Sequence, residues 1–418
     1  MPKLNLRKLL IFSLVIAVVA FGAVVLAQDD AVTVEPDSEV TVGFSAGLSG
    51  DVAALGIDIQ RGLELALEDR PTVTVDDTEF DVTFDSQDSQ CNAEGGQAVA
   101  NRFASDDSII GVVGPMCSSA CEAAAPIFDS AGFTTISPSC TSPTLTLRGY
   151  TSFNRAVPSD GFQGAVAAEF MIEELDVSSI ATIHDGSPYG EGLGGEVVAA
   201  DAINVGDTDF RALLEEIAAT EPELIYFGGF PAEAALLIQQ RVDAGLQDTI
   251  FMGADGIRGS EVVELSGAEA EGIYASAPIA TDSDALENFL ERYLDTYGEE
   301  PPAPFHANGY DAINIFLDAV EATGTIDDDG NLVVSREAVS EYVRTLEDSQ
   351  GLVGNLNADG TGETFTVEQT LIGVSQVQDG EFTLIETYGG ESDDMMEEEA
   401  TEEPMMEEEA TEEAETDE

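Results

Sequence analysis

Ser118, Ser139 and Thr141 are the residues whose type and placement bear most directly on chemistry. Each stands in a turn of small side chains just past an apolar stretch. Cys117-Ser118-Ser119 follows residues 108–114 (SIIGVVG), and Ser137-Pro138-Ser139-Cys140-Thr141 follows residues 133–136. Read as parallel strands, both stretches deliver their turns at carboxyl ends, where ligands of open α/β sheets meet hydroxyls and unpaired N–H groups at helix starts. One such turn reads equally well as a helix cap. Two of them a strand apart, each with a hydroxyl and no bulky residue, point to an anion-binding wall suited to a carboxylate. Asp255, in Gly253-Ala254-Asp255-Gly256 after another apolar stretch, is the opposite kind of group, although alone it reads as a helix cap.

Other chemistries find less support. A nucleophilic Ser118 needs a base, and the two histidines are His184, ending a strand, and His306, starting a helix. No G-x-S-x-G elbow occurs. The flexible turn at residues 45–50 precedes a helix but has neither a G-x-x-x-x-G-K-[ST] nor a G-x-G-x-x-G pattern, which argues against a nucleotide.

The elements that must position these residues alternate. Strands are expected at residues 40–44, 80–84, 108–114 and 133–136, with helices at 56–69, 92–105 and from Ser118 to about Ser130. Ile57, Leu63, Ala66 and Leu67 form the expected buried side of the 56–69 helix. Such alternation is the signature of a parallel sheet covered on both faces. Pro158 and Gly161 suit a hinge. Beyond it the pattern resumes, with helices at 162–174, 209–219 and 233–244 and strands at 180–184, 224–228, 249–252 and 272–277. Amphipathic helices follow at 285–297, 306–322 and 338–347, then two β stretches at 363–369 and 371–377. One interval is too short: only residues 185–195 separate the 180–184 strand from the next at 196–200, whereas a parallel crossover takes a dozen or more residues, usually as a helix.

At 418 residues the chain suits two domains with ample core. Residues 1–27 combine Lys3, Arg7 and Lys8 with an uncharged apolar run ending Val25-Leu26-Ala27, the form of a secretory signal. That run is also long enough to stay as an uncleaved membrane anchor. Residues 28–39 read as a polar linker. Residues 390–418 hold an imperfect MMEEEATEE repeat and read as a disordered acidic tail. Four cysteines, Cys91, Cys117, Cys121 and Cys140, follow an export signal, and their even number favours disulfides. Zinc is the rival, but Cys117-x3-Cys121 has no nearby histidine.

The segment MCSSACEAAAPIFDSAGFTTISPSCTSPTLTLRGY (116–150), the VGFSAGLSGDVAALGIDIQRGLELALE run (42–68) and the HDGSPYGEG turn (184–192) together resemble the branched-chain amino acid-binding proteins of ABC importers. The resemblance covers residues 40–388. It implies the type I periplasmic-binding fold, two doubly wound parallel-sheet α/β lobes joined by a multi-strand hinge, with lobe 1 from residues 40–156 plus 279–368 and lobe 2 from 157–278 plus 369–389. It also implies an exported receptor, periplasmic or on the outer face of the cytoplasmic membrane, that closes on a small amino acid and hands it to a membrane permease, as a monomer and with no cofactor. A sensor of amides, urea or short peptides on the same fold is the first alternative, a secreted hydrolase the second.

Residue by residue, Ser118, Ser139 and Thr141 match positions that hold the ligand's α-carboxylate and part of its ammonium, and Asp255 matches the acid that takes the ammonium. Tyr189, Phe230 and Phe305 match aromatic positions around the ligand. Leu55 stands where the family often has an aromatic, and Phe230 where close relatives have tyrosine; both changes imply a more apolar pocket and an aliphatic, branched ligand. The family's bridge joins the positions of Cys91 and Cys117, which leaves Cys121 and Cys140 to tie the two hydroxyl turns together. Most of the family's helix after Tyr189 is missing.

Fourteen basic residues stand against 83 acidic ones, for a formal charge of −69, and both lysines lie in the leader. Such a surface repels nucleic acid and anionic membranes. It suits a high-salt medium, where counterions screen the self-repulsion. Melting temperature measured from low to molar KCl is expected to keep rising past the range where ordinary screening saturates; a flat profile would contradict salt adaptation.

Overall fold

The structure is a computed structural model and describes residues 31–192, 200–363 and 371–389. The leader and the acidic tail lie outside the described residues. The chain begins with β1 (Ala31–Val34), β2 (Val40–Ala46), α1 (Ala53–Asp69), β3 (Thr72–Val75) and β4 (Thr78–Asp88). It continues through α2 (Ala93–Ala104), β5 (Ile109–Val113), α3 (Ser118–Ser130), β6 (Thr135–Ser137), the single turn α4 (Thr144–Leu147) and β7 (Phe153–Arg155). The first sheet has the order β3-β4-β2-β5-β6-β7 and is parallel except for the β3–β4 hairpin. All five residues of β5, IIGVV, are buried, as an unbroken apolar run between two helical layers should be. Asn92 starts α2 by accepting from the Gly95 amide at 2.8 Å, which satisfies one of the orphan donors of the first turn.

The chain then crosses into the second lobe, through α5 (Asp160–Glu169), which runs on as a π-helical turn (Phe170–Glu174), β8 (Ile180–His184), α6 (Pro188–Gly192) and β9 (Ala200–Ala202). There follow α7 (Arg211–Ala218), β10 (Leu224–Gly228), α8 (Pro231–Asp243), β11 (Ile250–Gly253), α9 (Ser260–Ser266) and β12 (Tyr274–Pro278). It returns for α10 (Asp284–Tyr297), α11 (His306–Thr323), β13 (Thr325–Ile326), β14 (Leu332–Ser335), α12 (Arg336–Arg344), β15 (Ser349–Gln350) and β16 (Asn355–Leu356). It ends in the second lobe with β17 (Leu371–Gln378) and β18 (Glu381–Gly389). The second sheet runs β18-β17-β12-β11-β10-β8-β9, with β17 and β18 antiparallel to their neighbours and the rest parallel.

Several expectations need correction. Ala31–Val34, read as polar linker, pairs antiparallel with β14 in a small three-stranded sheet, because Val32 and Val34 alternate inward. Ile57 is 37% exposed; the buried stripe of α1 is Leu55, Ile59 and Leu63, four residues apart, and Ile57 falls two positions off that stripe. The hairpin strand β3 is only four residues long, and the edge strand β18 is mostly exposed with no regular apolar alternation, so neither stands out in the sequence. The second-lobe strand expected at 196–200 begins instead at Ala200, so residues 185–199 separate β8 from β9, enough for the dozen that a parallel crossover takes; the described part of it holds the five-residue α6, and β9 lies at the sheet edge. Residues 196–199 of the expected strand lie outside the described residues, as do 364–369 of the later one.

Close packing of α11 and the scarce arginines hold the first lobe. A Cβ on Gly111 of β5 would stand 2.2 Å from the Phe316 ring of α11, so only glycine lets the helix lie that near the sheet. Arg70 reaches from the end of α1 to Asp318 at 2.7 Å and Glu321 at 3.1 Å on α11, while Arg292 of α10 meets Asp69 at 2.7 Å. Both expected disulfides are present, Cys91–Cys117 and Cys121–Cys140. Among the described residues no helix is long and apolar enough to cross a membrane.

Candidate functional site

Two turns at carboxyl ends of first-lobe strands face three turns at carboxyl ends of second-lobe strands. After β5, Pro115-Met116-Cys117 leads into α3, and Ser118 sits at its first turn. After β6, residues 137–142 fold back over that helix start. The two turns are bound together: Ser139 Oγ donates to the Met116 carbonyl at 3.0 Å, the Ser142 amide donates to Ser118 Oγ at 3.3 Å, and Ser137 Oγ donates to the Pro115 carbonyl at 2.6 Å. The Cys121–Cys140 bridge joins them covalently. Ser118, Ser139 and Thr141 are all buried. A cradle of hydroxyls and helix-start amides results, which favours a negative group.

On the second lobe Asp255 opens a single 3₁₀ turn after β11 and is buried. Its Oδ1 accepts from Tyr189 Oη and from Gln163 Nε2, both at 2.9 Å, and Tyr189 Oη in turn accepts from the Gly256 amide at 2.7 Å. Phe230, after β10, packs against Tyr189 with ring centroids 5.3 Å apart. From the first lobe Leu55 and Phe305 complete the apolar lining. Phe305 is fixed by Asp58, a buried carboxylate of α1 that accepts from the Phe305 amide at 2.9 Å.

The structure therefore brings seven of the eight expected residues to one cavity: Leu55, Ser118, Ser139, Tyr189, Phe230, Asp255 and Phe305, with Met116, Cys117 and Gly256 beside them. Thr141 does not line it. Its hydroxyl is buried and faces Asp160 closely enough to favour that carboxyl's charged form, although neither group completes a hydrogen bond of good geometry. The walls enclose about 300 Å³ of atom-free space, of which about 20 Å³ admits the centre of a water molecule, room for about one water. An organic ligand requires the lobes to part.

Asp160 is what sequence reasoning missed. It is the first residue of α5, 1% exposed, and reads from sequence as a cap next to a hinge glycine. Gln163 lies three residues on, on the same helix face, so two polar residues at i and i+3 among apolar neighbours were the available signal. Burial pushes the Asp160 carboxyl well up, and repulsion from Asp255 adds to it, against the pull of Thr141 and Arg155. Burial likewise raises Asp255 to about 6, while Tyr189 and Gln163 oppose the rise. Of the pair, Asp255 has the donors and is the one that ionises first; Asp160 holds the proton. Asp255, the carboxyl that lines the cavity and ionises first, makes a site for a cation.

The comparisons with known proteins agree with this geometry. The profile of the periplasmic binding protein family matches residues 39–380. The leucine-, isoleucine-, valine-, threonine- and alanine-binding protein of Pseudomonas aeruginosa is 30% identical over 82% of this chain and 91% of its own. A leucine-binding protein, LivK, of Thermotoga maritima superposes with a TM-score of 0.75 at 26% identity, covering 84% of this chain and 99% of its own. The branched-chain substrate-binding protein LivJ of Streptococcus pneumoniae, solved with isoleucine, gives 0.71 at 25% identity over 83% and 100%.

Asp255→Asn keeps the shape and removes the charge. It is expected to weaken binding of a cationic ligand by about 2–5 kcal/mol, because one partner of a buried charge pair is lost; calorimetry at pH 7.5 checks it, and unchanged affinity would place the cation elsewhere. In the parent, affinity should fall as pH drops through about 6, where Asp255 takes up its proton. Without ligand the sign reverses: the folded state holds a proton that the unfolded chain gives up at 3.8, so this group's contribution is full below 3.8 and is lost as pH rises through about 6. The match along residues 39–380, with lobes, cleft and turns arranged as described, makes the chain a member of the periplasmic binding protein family.

Proposed function

We propose that the protein is the extracytoplasmic receptor of an ABC importer and binds a small aliphatic, branched amino acid as its zwitterion. The observation that carries the reading is the pairing of a hydroxyl-and-amide cradle with a buried carboxylate pair across one cleft. The α-carboxylate would take the Ser118 hydroxyl and the first N–H groups of α3, and the Ser139 hydroxyl once its O–H turns from the Met116 carbonyl. The ammonium would take Asp255, with Asp160 and Thr141 behind it. The side chain would lie among Leu55, Met116, Tyr189, Phe230 and Phe305, whose shape sets selectivity while the charged ends supply affinity.

Binding would proceed by hinged closure of the lobes, the ligand bridging turns that belong to both. The closed receptor would deliver its cargo to a membrane permease, acting as a monomer outside the cytoplasm, released from or held by the leader. Relatives named as leucine-, isoleucine- and valine-binding proteins support the ligand class. Structures of the same fold from R. palustris hold benzoate and 4-hydroxybenzoate, acids without an ammonium, so the fold alone does not choose. The carboxylate pair does, since an anion with no cation of its own would meet net repulsion there.

Two other readings gain less. A short peptide would separate its ammonium from its carboxylate by one or more further residues, a longer span than one α-amino acid presents to the two facing walls. For a hydrolase a base must meet the nucleophile, and among the described residues the Ser118 hydroxyl accepts from the Ser142 amide while His184 Nδ1 accepts from the Gly186 amide and His306 Nδ1 faces Asp58 and the Ala303 carbonyl, with no hydrogen bond joining Ser118 to either ring.

A thermal-shift screen of the twenty amino acids tests the reading. Leucine, isoleucine or valine at 100 times Kd would stabilise the fold by about 2.7 kcal/mol and raise its melting temperature. A rise with urea, an amide or an aromatic acid and with no amino acid would overturn it.

A further inference from the structure

Arg155, the last residue of β7, has a fully buried side chain, and a buried guanidinium is costly unless its donors are matched. Nε donates to Glu363 Oε2 at 2.8 Å and Nη2 to Glu363 Oε1. Nη2 also lies 3.3 Å from Thr146 Oγ1, which itself donates to Glu363 Oε1 at 3.0 Å. Nη1 donates to the Cys140 carbonyl at 3.1 Å and the Ser142 carbonyl at 3.0 Å. The backbones join as well, the Arg155 amide donating to the Gly362 carbonyl at 2.9 Å.

The position of these partners gives the cluster its meaning. Cys140 and Ser142 flank Thr141, so one edge of the guanidinium grips the second hydroxyl turn from behind. Glu363 lies just before the last passage of the chain between the lobes, and Arg155 just before the first. Only a planar fork reaches a carboxylate on one edge and two carbonyls on the other; lysine offers a point charge. The same positive charge favours the ionised form of Asp160, five residues along the first passage.

We propose that the Arg155–Glu363 pair is a clasp that positions residues 139–142 for the ligand's carboxylate and ties that turn to two of the interlobe passages, so that filling the cradle and setting the hinge are coupled. Arg155 and Glu363 act through the turn and do not touch the ligand. The proposal rests on the amino acid-binding reading above.

The test compares Glu363→Gln with the parent, using Arg148→Gln, which breaks the more exposed Arg148–Glu122 pair on the same lobe, as the control. Calorimetry with leucine should show Glu363→Gln weakened by about 5-fold or more and the control within about twofold. A merely structural role would lower the unliganded melting temperature and leave the leucine-induced rise unchanged; that result, or affinity within about twofold of the parent, overturns the clasp. Thr146→Val, which removes the hydroxyl's two hydrogen bonds to the cluster and leaves the Arg155–Glu363 pair itself, gives a smaller loss of the same kind if Glu363→Gln does not fold. If the parent binds no amino acid, the functional reading fails by itself, and amide exchange in the unliganded protein decides the clasp. Exchange at Thr141 and Asp160 should be faster in the variant than in the parent, and equal rates would refute it.

Discussion

Asp255 is buried on one wall of the cleft and Asp160 is buried near it, and among the described residues no cation is hydrogen-bonded to either; most of the site follows from that. Buried carboxylates are tolerated when they are paired, hydrogen-bonded or protonated. Asp255 has two donors, Tyr189 and Gln163; Asp160 is left to hold a proton. A ligand carrying an ammonium would give Asp255 the cation it lacks, but only if its other end has somewhere to place a negative charge. The first-lobe cradle supplies that place. In the proposed reading, closure of the cleft would be driven by matching charges that neither lobe satisfies alone.

The same economy of positive charge extends through the molecule. With 14 basic residues against 83 acidic ones, each arginine has a choice of partners, and the buried or half-buried ones sit where elements must be held together. Arg70 and Arg292 fasten α1 to α11 and α10, and Arg155 joins a ligand turn to the chain near two crossings. The acidic remainder covers the surface, where only screening and hydration offset its repulsion.

Much of this was legible in the sequence. Alternating apolar stretches gave the order of parallel strands and helices, because strands such as 224–228 are buried on both faces and therefore continuously apolar. The hydroxyl turns announced themselves by small residues past strand ends. Edge elements were not legible: β1 and β3 are four-residue strands in polar surroundings, and β18 is mostly exposed with no regular apolar alternation. Asp160 was missed because an aspartate at a helix start is ordinarily an exposed cap, and only the second lobe folding over it turns it into part of the site. Thr141 carries the converse lesson, since a residue matched to a ligand position in sequence stands one layer behind the cavity.

The central claim is that the cleft recognises both charged ends of one small molecule. Calorimetry with leucine, with its analogue lacking the amino group (4-methylpentanoate) and with its analogue lacking the carboxylate (3-methylbutylamine) tests it directly. A site built of buried polar groups rejects a ligand that leaves them unmatched, so both analogues should bind at least about 10³-fold more weakly than leucine. Binding of 4-methylpentanoate within about tenfold of leucine would contradict the account, because the buried carboxylate pair would then have no part in recognition.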